Sequence, residues 1–301
     1  MERDAVPSAA PLLEIDNLRV TFDTPSGPVE AVRGVSFQLG SERLGIVGES
    51  GSGKTMTGRS ILRLVRPPGR VEADAMRFRG TDLLGLSARG MRKMRGARIS
   101  MVMQDPKYSL NPVMRVGDQM IEVLRTHRSI SRRDARDRAA EMLEAVQIRD
   151  VGRVMAAYPH EVSGGMGQRI MIATMLIPEP DLLIADEPTS ALDVTVEREV
   201  LAILDKLVAE RQGRNGMGLI FISHDLRLVG RFCDRVLVMY RGQVVEEIEA
   251  VRLDEARHPY TRGLLACLPR IGDKVNGRAP PLATLEREDA WGVRRVSASA
   301  R

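Results

Sequence analysis

The eight residues Gly48-Glu-Ser-Gly-Ser-Gly-Lys54-Thr55 constrain this chain more than any other stretch. They match G-x-x-x-x-G-K-[ST] in spacing and sit in the context the pattern needs, with the short apolar run Leu44-Gly-Ile-Val-Gly48 before them and a helical pattern after. Gly48, Gly51 and Gly53, with Ser50 and Ser52 between them, let the backbone wrap closely around phosphate oxygens. Several N–H groups then point inward, and the start of the following helix adds partial positive charge. Lys54 is expected to reach the β- and γ-phosphates of a nucleotide, and the Thr55 hydroxyl to ligate Mg²⁺. The bland alternative is a flexible Gly/Ser loop with an incidental lysine; the flanking strand and helix count against it. The helix is expected from about Lys54 to Val65, with Pro67-Pro68-Gly69 ending it.

A second half of such a site lies far along the chain. Leu182-Leu-Ile-Ala-Asp186-Glu187 reads as a buried strand ending in two carboxylates at the carboxyl edge of a sheet, where open α/β sheets bind ligands. Asp186 suits a role on Mg²⁺, acting through a water, and Glu187 is free to polarise an attacking water. Alone, such an ending often only marks the end of a strand. Paired with the phosphate loop, it points to phosphoryl chemistry.

The rest of the chain supports a folded α/β protein. Of 301 residues, 43% are apolar, enough for a sizeable core and too many for a disordered chain. Two cysteines, Cys233 and Cys267, exclude a disulfide scaffold or a cysteine-only metal site, and Cys233 reads as buried packing. No apolar run approaches the ~20 residues that span a bilayer, and the first residues lack the pattern of a secretory signal. The net charge of +5 is concentrated in Arg89–Arg98, Arg125–Arg138 and the stretch from Arg252 onward, read first as solvated faces and more weakly as surfaces toward a membrane or a partner. Aromatics at 3% are too few for stacking platforms, so no nucleic-acid partner is expected.

In order, residues 1–11 read as a loose arm. Leu13 to Leu39 reads as a hairpin region turning at Thr24-Pro25-Ser26-Gly27-Pro28. Arg89 to Ile177 is expected to be mainly helical, with a capping box at Ser131-Arg-Arg-Asp134 and an apolar face of Ala135, Ala139, Met142, Leu143 and Val146. Leu219 to Ile222 is a further buried strand, and Arg235 to Ile248 a hairpin around Arg241-Gly242. Strands alternating with helices imply a parallel sheet. Past Leu253 the pattern weakens, and the last thirty residues read as loose.

Val162-Ser163-Gly164-Gly165-Met166, a serine cap and two glycines opening a helix over Gly167–Met175, completes a set that resembles the ATP-binding-cassette ATPases. The resemblance covers about residues 13–268. It implies an α/β P-loop NTPase core, a mixed sheet with flanking helices, joined by an antiparallel β subdomain and a helical signature subdomain. The ATPase domain would then span 12–253, its helical part about 89–177, and a C-terminal segment 254–301. In this family Ser163, Gly164 and Gly165 would bind the γ-phosphate of ATP held by the opposite subunit. Gln104 matches the glutamine that senses Mg²⁺ and the γ-phosphate, Asp193 the loop that crosses the dimer interface, His224 the switch histidine, and Phe22 the aromatic that stacks on adenine.

Three stretches resemble the dipeptide, oligopeptide and nickel importers of that family: Gln104-Asp-Pro-Lys-Tyr-Ser-Leu-Asn-Pro112, Tyr158-Pro-His-Glu-Val-Ser-Gly-Gly-Met166 and His258-Pro-Tyr-Thr-Arg-Gly-Leu-Leu265. The likeness implies an ATPase on the cytoplasmic face of the bacterial inner membrane that powers peptide import. Its implied partners are two permease subunits, a second and different ATPase subunit, and an extracytoplasmic solute-binding protein. Import of nickel or another small solute is the alternative, and a non-transport ATPase of the family a more distant one. Two departures stand out. Gly167 replaces the usual arginine, and Lys274 to Arg301 lacks the cysteines that would hold an iron–sulfur cluster, so none is expected.

Overall fold

The computed structural model of the chain describes residues 11–103, 109–190 and 192–267. Its central sheet is built from β3 (Arg43–Val47), β7 (Ile99–Val102), β8 (Leu182–Asp186), β9 (Gly218–Ser223), β10 (Arg235–Tyr240) and β11 (Gln243–Glu249). The order across the sheet is β11-β10-β3-β9-β8-β7. Neighbours pair in parallel from β10 to β7, and β11 closes the edge antiparallel through a turn at Arg241 and Gly242, both with positive φ. The parallel strands are nearly unbroken apolar runs because both faces are covered. Ile220 and Ile222 of β9 enter one core cluster while Leu219 and Phe221 enter the other; β8 divides likewise, Leu182 and Ile184 against Leu183 and Ala185.

An antiparallel sheet covers the first cluster. It comprises β1 (Leu13–Thr24), β2 (Gly27–Leu39), β4 (Gly69–Glu72), β5 (Ala75–Phe78) and β6 (Thr81–Asp82). β1 pairs with β2 along one edge and with β4 and β5 along the other. The Thr24 hydroxyl donates to the Gly27 carbonyl at 2.6 Å and closes the expected turn. Two helices join this side, α1 (Lys54–Ile61) and α2 (Ala88–Met94), through Ile61 and Met91. The second cluster is covered by α3 (Val116–His127), α4 (Arg132–Ala145), α5 (Val151–Ala156), α6 (Gly164–Leu176), α7 (Val194–Asn215), α8 (Leu226–Phe232) and α9 (Pro259–Ala266). Gly45 lets α8 lie close on β3: a Cβ there would stand 2.0 Å from Val229 Cγ1.

Four expectations shift. The helix from Lys54 stops at Ile61 rather than Val65, because Arg63 turns left-handed (φ 50°) and the N–H groups of Arg63 and Leu64 close onto the carbonyls of Ser60 and Arg59. The stretch from Arg89 is interrupted by β7, four buried residues paired in parallel with β8 and too short to show a period. The signature helix begins at Gly164, three residues before Gly167. The Ser131 cap forms, but Asp134 returns to the Ser131 hydroxyl (2.7 Å) instead of its backbone N–H. Ala135, Ala139, Leu143 and Val146 are buried, with Met142 packed beside them.

Part of the basic charge is paired within the chain. Arg95 donates to the carbonyls of Leu62 and Arg63, Arg98 pairs with Asp181, and Arg128 binds the Pro178 carbonyl and Glu179. Leu253 and Tyr260 share the helix-side core, so packing continues beyond residue 253. Of the expected arm only Pro11 falls within the described residues, and the tail from 268 onward lies outside them.

Candidate functional site

Three adjacent strands, β3, β9 and β8, end level with one another: Val47 pairs with Ser223, and Ile222 with Asp186. Their carboxyl ends therefore bring the loop at 48–53, His224, and Asp186 with Glu187 to one place. The cleft there has a volume of about 490 Å³, and Ser50, Gly51, Gly53, Lys54, Thr55, Glu187 and His224 line it together with Ala31 and Met56.

Close approach shapes the loop. Gly48 has φ 153°, and a Cβ there would stand 2.1 Å from the Met239 carbonyl oxygen; Gly53 has φ 101°, and a Cβ would meet the Ala31 carbonyl oxygen at 2.5 Å. Only glycine fits both places. The buried Ser52 is braced twice. Its N–H donates to the Glu49 carbonyl (3.1 Å), and its carbonyl accepts from the Gly242 N–H (3.0 Å). The Gly242 carbonyl in turn accepts from Arg33 N–H of β2 at 2.7 Å. The first turn of α1 receives no side-chain cap, so its N–H groups face the cleft as an anion-binding end.

Lys54 is 5% exposed, and its ammonium donates to the carbonyls of Gly48 and Glu49, both at 2.8 Å. Burial pulls its pKa down, opposed by the nearby carboxylates of Glu187, Asp186 and Glu49. The Thr55 hydroxyl donates to Asp186 Oδ1 at 2.9 Å. Asp186 is buried, and burial pushes its pKa up, against the Thr55 hydrogen bond and the cations Arg59 and Lys54. A hydroxyl and a carboxylate side by side are hard oxygen donors that fit Mg²⁺, which takes one or two protein ligands and completes its shell with water and phosphate.

Glu187 leaves the end of β8 with φ 47°, an uncommon conformation for a residue other than glycine. Its N–H is pinned to the Ile222 carbonyl (2.9 Å), and its carbonyl accepts from the Ser190 N–H and hydroxyl. Its carboxylate Oε1 lies 3.4 Å from His224 Nδ1, whose side chain is 63% exposed at the mouth of the cleft.

The signature residues stand apart from this cleft. Ser163 and Gly164 are exposed and Gly165 half-buried at the start of α6, where the Ser163 hydroxyl accepts from the Met166 N–H at 3.3 Å. None of them lines the cleft. Asp193 caps α7, its Oδ1 accepting from the N–H groups of Thr195 and Val196. Phe22 is half-buried on β1, opposite Gly69 of β4, its ring edge close enough that a Cβ on Gly69 would stand 2.7 Å from Cε1; it is not among the cleft-lining residues. Gln104 lies outside the described residues.

Two contacts have no counterpart in the sequence reading. Gln168, buried on α6 one turn beyond Ser163, donates its side-chain N–H to the carbonyl of Pro188, the residue after Glu187. The Glu49 N–H donates to the hydroxyl of Tyr260, on α9, at 3.1 Å.

Comparison with known proteins agrees with this geometry. The family described as ABC transporter matches residues 32–190. The oligopeptide transport ATP-binding protein OppD of Bacillus subtilis (strain 168) is 45% identical over 294 residues, covering 94% of this chain and 81% of its own. The probable D,D-dipeptide transport ATP-binding protein DdpD of Escherichia coli (strain K12) is 43% identical, covering 96% and 90%. Among solved structures, the ATP-binding cassette MJ0796, in a dimeric post-hydrolysis state bound to ADP and Pi, superposes with a TM-score of 0.70 at 26% identity, covering 79% of this chain and 98% of that one.

Proposed function

Because this chain belongs to the ABC transporter family, we propose that it is the ATP-hydrolysing subunit that powers peptide import through separate membrane permease subunits. The observation that carries the proposal is the division of the motifs. Lys54, Thr55, Glu187 and His224 line one cleft, with the buried Asp186 bonded to Thr55 beside it, whereas Ser163 to Gly165 cap an exposed helix end outside it. A site so divided is completed by a second subunit, whose signature helix closes on the γ-phosphate held here. The relatives named for oligopeptide and D,D-dipeptide transport support peptides as the cargo.

The residues then act by positioning and charge, which is most of what phosphoryl transfer requires. The N–H groups of the loop and of α1 surround the phosphates, and Lys54 places a positive charge against the β- and γ-oxygens. Thr55 and, through a water, Asp186 would hold Mg²⁺, which would supply charge neutralisation on the phosphates. Glu187 orients a water in line with the γ-phosphorus and draws on its proton, and His224 holds the γ-phosphate and the Glu187 carboxylate in register. Gln104 senses the same γ-phosphate, Asp193 lies at the subunit interface, and Phe22 stacks on adenine. No helix among the described residues is long and apolar enough to cross a membrane. The subunit works at the cytoplasmic face of the inner membrane, beside a second and different ATPase chain, with an extracytoplasmic binding protein selecting the solute.

The test is ATP hydrolysis by the transporter assembled in membranes, wild type against Glu187→Gln. The expected result is loss of turnover with ATP still bound. Undiminished turnover in the variant would remove Glu187 from the mechanism.

A further inference from the structure

We propose that Tyr260 is a positioning residue for the phosphate loop, holding the Gly48–Glu49 peptide so that Lys54 is presented to the phosphates of ATP; this rests on the ATP-binding reading above. That peptide unit is bonded on both edges. Its N–H, from Glu49, donates to the Tyr260 hydroxyl at 3.1 Å, and its carbonyl, from Gly48, accepts from Lys54 Nζ at 2.8 Å. The next carbonyl, of Glu49, also accepts from Lys54 Nζ (2.8 Å) and from the Ser52 N–H (3.1 Å). Hydrogen bonds that share a peptide polarise and orient one another, so fixing one edge fixes the direction of the other.

Tyr260 is built to hold its place. It is 1% exposed, and its ring lies against Tyr240, the last residue of β10, with centroids 4.5 Å apart. Burial pushes its pKa up to about 12, so the hydroxyl stays neutral. The residues before it set the angle of α9. Glu246 of β11 accepts through Oε1 from the N–H groups of Arg257 (2.6 Å) and His258 (3.2 Å). His258 Nδ1 then caps α9 by accepting from the Tyr260 N–H at 3.2 Å, and Pro259 takes the first helical position, where its missing N–H costs nothing. The run His258-Pro259-Tyr260 thus has one job spread over three side chains: cap, start and reach. The nucleotide chemistry makes no other use of this segment.

The experiment is an ATP titration of hydrolysis by the assembled transporter carrying Tyr260→Phe, which keeps the ring and removes the acceptor. Lys54 meets the phosphates in the ground state and the transition state alike, so the expected result is KM raised about three- to tenfold with kcat within about twofold. His258→Ala is expected to raise KM in the same direction, and His258→Asn, which retains a capping oxygen, to restore it. If Tyr260→Phe does not fold, the His258 pair decides. Unchanged KM in these variants would overturn the proposal, as would a fall in kcat at constant KM, the signature of a merely structural loss. Failure of the wild type itself to bind ATP would instead sink the functional reading beneath it.

Discussion

The Thr55 hydroxyl and the buried Asp186 carboxylate are joined by a 2.9 Å hydrogen bond between the first turn of α1 and the end of β8. Asparagine at 186 keeps the acceptor and removes a charge that burial disfavours. Asp186→Asn is therefore expected to match or exceed the wild type in thermal stability without nucleotide, and to lose Mg²⁺-dependent hydrolysis by about a hundredfold or more. The sign of the pH dependence follows. Burial raises the folded-state pKa of Asp186, so its contribution to stability is fully present below the ordinary carboxylate range and is lost as pH rises through the raised value. Melting curves of the two proteins should converge in acid and separate as pH rises, with the wild type the less stable. A variant that melts several degrees lower at neutral pH would contradict this.

Ser163 caps α6 outside the cleft of its own subunit. Glycine is a tolerable cap, losing only a few tenths of a kcal/mol, about, where alanine would lose nearer 1 kcal/mol. Ser163→Gly should leave ATP affinity of the isolated chain within about twofold of wild type, while hydrolysis in the assembled transporter falls tenfold or so. Equal loss in both measurements would place Ser163 in its own subunit's site.

Gln168 ties α6 to the Pro188 carbonyl, one residue past Glu187. Gln168→Leu removes that buried carbonyl's bond to the side chain, at a cost of about 1–3 kcal/mol. Scanning calorimetry should show a melting point lower by several degrees, at roughly 2–4 °C per kcal/mol for a chain of this size. Hydrolysis should fall as well, since the turn that aims Glu187 loses its brace. A variant with wild-type melting and turnover would show the contact to be idle.

Cys233 is 7% exposed in the core, and burial drives its thiol pKa far above the ordinary range. The thiolate is the reactive form, so Cys233 should resist maleimide in the native protein even at mildly alkaline pH, while the half-buried Cys267 is modified first. Mass spectrometry of the labelled chain reads the order directly. Rapid labelling of Cys233 would mean that α8 opens readily from β3.

The phosphate loop and the paired carboxylates were legible because each chemistry needs contiguous residues at the end of an apolar strand, whereas His224, a single residue, could be singled out only by resemblance. Strand β7 was not, because Ile99 to Val102 is four residues long and follows a basic run that reads as helix. Nor was the end of α1, where the left-handed turn at Arg63 precedes the prolines that mark the break. Gln168 and Tyr260 act through side-chain to backbone bonds spanning 20 and 211 positions, and such bonds leave no periodic mark. The segment His258-Pro-Tyr260 could be singled out by resemblance, but its contact with Glu49 exists only once β10 and β11 have folded beneath it.

The Gly242 peptide neighbourhood receives Arg33 of β2 through its carbonyl and grips Ser52 of the phosphate loop through its N–H. The antiparallel sheet and the loop are thereby clasped to the same hairpin tip. The two bonds lie in series through Gly242, so parting the sheet from the loop breaks at least one of them. The helix that carries Ser163 at its start packs on the opposite side of the central sheet, outside this clasp. There the Gln168 bond to Pro188 ties α6 directly to the turn that holds Glu187.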